Sequence, residues 1–91
     1  HCHAGPDRIK KLGIVTGGAG SELTQAKAAG VDTFITGEGP HHTFNMAEEL
    51  GINLIYAGHY ATEMSGVKAL ADRVGNRFGL PWVFLDHPSG L

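Results

Sequence analysis

A histidine and a glutamate four residues apart, His59 and Glu63 in Gly58-His59-Tyr60-Ala61-Thr62-Glu63, are the residues of this chain best suited to chemistry. An imidazole nitrogen and a carboxylate oxygen are both good donors to a divalent first-row ion. The pair follows an apolar run, Ile52-Asn53-Leu54-Ile55-Tyr56-Ala57, which reads as a buried strand. After it Val67, Leu70, Ala71 and Val74 recur on one helical face, with Thr62 as the expected N-cap and Glu63 in the first turn. His59 and Glu63 thus fall where a strand ends and a helix begins, the edge at which open α/β sheets bind ligands. The same spacing also makes an ordinary helical pair worth about a few tenths of a kcal/mol. Nor do two ligands complete a catalytic zinc-type site, which takes about three protein ligands plus water.

Two further groups share that edge in the sequence reading. Gly17-Gly18-Ala19-Gly20-Ser21 joins a strand to a helix. Its glycines allow a ligand close to the backbone, and free N–H groups at the helix start attract an anion, so Gly18, Gly20 and Ser21 are candidate substrate contacts. The Gly-Lys-Ser/Thr ending of a P-loop is missing, and the third Rossmann glycine would fall on Leu23. A tight turn with Ser21 as N-cap accounts for the stretch equally well. Glu38 and His42 follow the second strand and are candidates for a supporting or substrate-facing role, against the ordinary fate of a solvated or capping helix-start histidine. His1 and His3 could share one strand face, although a chain end explains them as simply. Asp86 and His87 read as a solvated tail, and Trp82 and Phe84 as apolar mass for a core or interface.

Positioning these residues requires a regular alternation. Strands are expected at Leu12–Thr16, Val31–Thr36, Ile52–Ala57 and Leu80–Leu85. Helices are expected over about Glu22–Ala29, His42–Leu50 and Glu63–Phe78, closed by Gly30, Gly51 and Gly79. His1 to Lys11 reads as the tail of an earlier element plus a loop. The β-α-β-α-β-α-β order predicts an α/β fold, a mostly parallel sheet with right-handed crossovers and helices packed on it. Strands that are apolar rather than alternating predict burial on both faces.

Composition limits the rest. Ninety-one residues make one small domain, burying only about two-thirds of the unfolded surface, so a partner subunit or further chain is expected. Seven Lys+Arg against nine Asp+Glu provide no basic field for nucleic acid. No apolar run approaches the roughly 20 residues that span a bilayer. One cysteine, Cys2, forms no internal disulfide and suits a reducing cytoplasm. The abrupt polar start at His1-Cys2-His3, without Met, suggests a piece of a longer protein.

Taken together, Gly17–Ser21, Asp32-Thr33-Phe34-Ile35-Thr36-Gly37-Glu38 with His41-His42, Gly58–Glu63 and Phe84-Leu85-Asp86-x-Pro88 resemble the C-terminal portion of the NIF-three-like family. Its bacterial members are called GTP cyclohydrolase 1 type 2 homologues. The resemblance spans nearly the whole chain in the family's order, and Gly-His-x-x-Thr-Glu is its most specific element. It implies a dinuclear site for two divalent ions (Zn, Fe, Mn, Co or Ni), with His59 as the C-terminal histidine ligand and Glu63 as the carboxylate that contacts or bridges both. The family's remaining ligands, a His-His pair and an aspartate, belong to an N-terminal half with no counterpart here. His41-His42, in its Gly-Glu-x-x-His-His context, is not that pair. The resemblance further implies a cytoplasmic homohexamer and a metal-dependent hydrolase acting on a small nucleotide-like or phosphorylated substrate. The isolated 91-residue portion is then expected to be inactive. The alternative is a metal-organised protein-interaction or regulatory module without catalysis.

Overall fold

The first strand, β1 (Leu12–Val15), pairs in parallel with β2 (Thr33–Thr36), which pairs in parallel with β3 (Asn53–Tyr56), giving the sheet order β1-β2-β3. This computed structural model describes all 91 residues. Helices α1 (Leu23–Ala28) and α2 (Thr43–Leu50) make the two crossovers and touch one another, so both lie on one face. The long α3 (His59–Phe78) follows β3. The α/β class and parallel order are as the sequence predicts, and Gly30, Gly51 and Gly79 end the helices in left-handed conformations.

The core lies between the sheet and the two crossover helices. Leu23 from α1, Ala47 from α2, Phe34 from the central strand β2 and Leu54 from β3, with Val31 and Ile52 at the strand entries, form its centre. Leu23, Ala47 and Ile52 are fully enclosed. Truncating one such leucine costs about 2–5 kcal/mol, so this cluster outweighs any surface pair in holding the layer together.

Three expectations need correction. Helices cover one face of the sheet, and the other is covered only at the strand entries, where the N-terminal loop meets buried Thr33 and Asn53. Ile14, Ile35 and Ile55 stand opposite one another across the three strands, on the side away from Phe34 and Leu54, and Ile14 is 64% exposed. The apolar strands therefore reflect a face that these 91 residues leave open. Second, Leu80–Leu85 is not a strand. Gly79 reverses the chain, and the segment runs back along α3. Leu80 N–H donates to Gly75 O at 3.0 Å, Trp82 Nε1–H to Asp72 Oδ1 at 3.2 Å, and Lys68 Nζ lies 4.3 Å from the Phe84 ring centre. Phe84 is half-buried against α3, whereas Leu80, Val83 and Leu85 stay largely exposed. Third, α3 starts at His59 with Gly58 before it, so Thr62 lies inside the helix and is not its cap.

The N-terminal residues form a loop that packs against the sheet. Cys2 forms an antiparallel bridge with Leu54 on β3. The buried Asn53 side chain accepts from Gly5 N–H at 2.8 Å and donates to Pro6 O at 2.9 Å and Thr33 Oγ1 at 3.2 Å. Asp32 holds the approach to β1, accepting from the N–H groups of Lys10 and Lys11 at 2.9 and 3.0 Å. Partial desolvation pushes the Asp32 carboxyl up, but those two amides, the Thr33 hydroxyl and Lys10 together hold it below its ordinary 3.8. A carboxyl lowered in the folded state stabilises above its unfolded pKa, and that contribution is lost as pH falls through the folded value. Asp32→Ala is accordingly expected to lower the thermal midpoint at neutral pH, the gap closing in acid. A gap that is unchanged at about pH 2.5 contradicts this origin.

Candidate metal centre

The three strands end in three loops that bond to one another. Glu38 N–H donates to Gly17 O at 3.0 Å, Ala57 N–H to Thr36 O at 2.8 Å and Gly58 N–H to Gly37 O at 2.9 Å. Gly37 sits at the centre, where an added Cβ would lie 2.5 Å from Gly17 O, 2.7 Å from His59 Cα and 2.8 Å from Thr62 Oγ1. Only hydrogen fits there. Thr62 reinforces the junction by accepting Gly17 N–H at 3.0 Å and donating to His59 O at 3.1 Å. Thr36 does likewise from β2, accepting Ala19 N–H and donating to Gly17 O, both at 3.2 Å.

On this scaffold the His59 ring is gripped from both sides. Its Nδ1 is 2.5 Å from Glu38 Oε1, and its Nε2 is 3.4 Å from Glu63 Oε2, one helical turn on. Glu38 thereby accepts the Nδ1 hydrogen and leaves Nε2 directed to the side where Glu63 stands, the arrangement by which a carboxylate orients a metal-binding imidazole. His59 is 37% and Glu63 53% exposed at the side chain, so the Nε2 side is open to solvent. Because Glu38 and Glu63 occupy opposite sides of the ring, no three ligating groups converge on one point. This chain contributes a two-donor corner. Its donor set fits a divalent ion, one donor short of the about three protein ligands that a catalytic zinc-type site takes.

Gly17 and Gly18 form the wall of that corner. A Cβ on Gly17 would lie 2.5 Å from Glu63 Oε1, and Gly17 has φ of +72°, which a larger residue adopts only with strain. A Cβ on Gly18 would lie 3.7 Å from His59 Cε1 and 3.9 Å from Glu38 Cγ. The glycine loop is less of an anion cradle than its composition suggests. Gly17, Ala19 and Gly20 already donate their N–H groups to Thr62, Thr36 and Glu38. Gly20 is buried and shapes the loop, whereas Gly18 and Ser21 are exposed. Ser21 lies in a 3-10 turn (Gly20–Glu22) and caps neither that turn nor α1.

The other candidates lie apart from the ring. His42 is exposed at the start of α2 and makes no side-chain bond to the His59 group. His41 lines a separate cavity of about 420 Å³ with Cys2, Pro40 and Phe44. His3 pairs with Asp7 at 3.3 Å. Asp86, read as a solvated tail, instead accepts the Tyr60 hydroxyl at 2.7 Å and draws the C-terminal segment toward the start of α3. Sequence reasoning missed the roles of Thr36 and Thr62. A threonine ending a strand before glycine, and one three residues after a histidine, were the available signals.

The sequence profile of Duf34/NIF3 (NGG1p interacting factor 3) matches residues 1–89. The chain belongs to the Duf34/NIF3 family. Among its relatives is a GTP cyclohydrolase 1 type 2 homolog of Deinococcus radiodurans, 45% identical over 87 residues, which cover 96% of this chain and 33% of that protein. One from Pseudomonas aeruginosa bearing the same name is 47% identical over 81 residues, 89% of this chain and 32% of that protein. The crystal structure of TTHA1606 from Thermus thermophilus superposes with a TM-score of 0.90 at 48% identity, covering 98% of this chain and 36% of that one. The chain thus spans about a third of the length of these Duf34/NIF3 relatives.

The hydrogen bond that His59 Nδ1–H donates to Glu38 lifts the His59 pKa above its ordinary 6.5, against partial desolvation and with help from the Glu63 charge. In metal-free full-length protein, the His59 ring proton signals are expected to titrate above that value, and Glu38→Gln to bring the midpoint down. The stabilisation is present below the unfolded pKa and lost as pH rises through the folded one, so the variant should destabilise more at about pH 5 than at about pH 8. An unmoved midpoint rejects Glu38 as the cause.

Proposed function

We propose that the full-length protein is a dinuclear divalent-metal hydrolase to which this chain supplies two ligands, His59 through Nε2 and Glu63 through its carboxylate. The observation that carries the reading is the oriented ring: Glu38 holds Nδ1 at 2.5 Å while Nε2 faces Glu63 across 3.4 Å. The relatives' name, GTP cyclohydrolase 1 type 2 homolog, supports a small nucleotide-like or phosphorylated substrate. Assembly as a cytoplasmic homohexamer belongs to the same proposal. No helix is long and apolar enough to cross a membrane.

Bound as a pair, Zn, Fe, Mn, Co or Ni ions would supply Lewis acidity, lowering the pKa of a water and neutralising charge on a leaving oxygen. The chain's own residues do the positioning. Glu38 fixes the ring of His59, Gly17 leaves Glu63 room, and Gly18 and Ser21 offer exposed backbone and hydroxyl groups to a substrate. The missing ligands belong to the part of the protein beyond this third, and the isolated portion is proposed to be inactive.

A second reading is a metal-organised interaction module without catalysis. The family description, NGG1p interacting factor 3, and the open isoleucine face favour it. Turnover separates the two: metal-loaded protein is incubated with GTP and a panel of phosphoesters, and product from any of them supports the hydrolase. No turnover beside a saturable protein complex supports the module. For the centre itself, metal analysis is expected to find about two ions per subunit in the full-length protein and most of that lost in Glu63→Ala. Unchanged content in the variant removes Glu63 from the site.

A further inference from the structure

We propose that Tyr56 is a positioning residue for the His59 corner, acting through the loop that carries Glu38; the inference rests on the metal reading above. Tyr56 closes β3 and does not touch His59. Its hydroxyl bonds to Thr43 Oγ1, which gives its own hydrogen to Pro40 O at 2.6 Å, so the Tyr56 O–H is the donor. Beneath that hydroxyl the backbones of Gly20 and Gly39 cross. A Cβ on Gly20 would lie 2.5 Å from both Gly39 Cα and Tyr56 Oη, and one on Gly39 would lie 2.6 Å from Gly20 Cα.

This stack fixes Glu38 from two directions. Gly20 N–H donates to Glu38 O at 3.1 Å, and Glu38 N–H donates to Gly17 O at 3.0 Å. The turn after Glu38 is held down by the bonds running from Pro40 through Thr43 to Tyr56. With its main chain bonded before and after, the Glu38 side chain has one short path, ending at His59 Nδ1. Loss of the Tyr56 hydroxyl frees the Gly39–Pro40 turn, unseats the Glu38 carboxylate and lets the imidazole rotate away from Glu63.

The test is a double-mutant cycle in full-length protein, read by zinc affinity in competition with a chromophoric chelator. Glu38→Gln is expected to weaken zinc about 10- to 100-fold and Tyr56→Phe about tenfold, as for changes to groups that orient a ligand. The double variant should be within about twofold of Glu38→Gln alone, because Tyr56 has no other route to the metal. Thr43→Val, which breaks the same bond from the other side, should match Tyr56→Phe, and it carries the test if Tyr56→Phe does not fold. Additive losses overturn the proposal, as does wild-type affinity in Tyr56→Phe. The His59 Nδ1–H resonance of metal-free protein is the second readout, resolved in the wild type and exchange-broadened in both single variants. If the wild type binds no zinc, the metal reading fails, and this resonance alone decides whether Tyr56 seats Glu38: unchanged sharpness in Tyr56→Phe rejects it.

Discussion

The absence of a side chain at Gly37 is the constraint on which this corner of the molecule depends. Three strand-end loops meet there closely enough that a methyl group would overlap a carbonyl oxygen, an α-carbon and a hydroxyl. Parallel strands bring their carboxyl ends to one edge as a matter of topology, but topology alone leaves loop ends several ångströms apart. Bonding of Gly37 and Gly17 carbonyls by Gly58 and Glu38 amides closes that gap. The side chains on either side of Gly37 then have little freedom left in where they point.

Orientation of one imidazole follows from that closure. His59 begins α3 because Gly58, at φ of +95°, turns the strand directly into the helix. Glu63 is then its neighbour by helical spacing, while Glu38 reaches it from the loop after β2. The local pair needs only a helix, whereas the Glu38 contact needs the whole sheet edge to be assembled. A surface His–Glu pair in isolation contributes little. The long-range partner distinguishes this histidine from an ordinary helical one.

Much of this was legible in the residues, for physical reasons that differ by element. Val31–Thr36 and Ile52–Ala57 read as strands because β-branched and apolar runs between glycines have few other uses, and Gly30, Gly51 and Gly79 marked helix ends. That the His59 and Glu63 side chains meet was legible from their spacing of four on a helix. Leu80–Leu85 misled because its apolar content suits a strand, whereas the segment is tied to α3 by polar and cation–ring contacts with most of its apolar side chains left exposed. Gly20 and Ser21 misled because a glycine loop shows where backbone comes close, not whether ligand or protein is what it approaches. Tyr56 gave no signal at all, since its hydroxyl acts on a residue 13 positions away.

The border of the sheet has a practical meaning for anyone who handles this segment alone. β1 is outermost, and Leu12, Ile14 and Val15 are all substantially uncovered along it. Unsatisfied main-chain groups bordered by greasy side chains form a template on which a second molecule can add its own strand. Expressed by itself, the segment would tend toward inclusion bodies. A lysine at Ile14, placed outside both the enclosed core and the ring of His59, would be the first change to make.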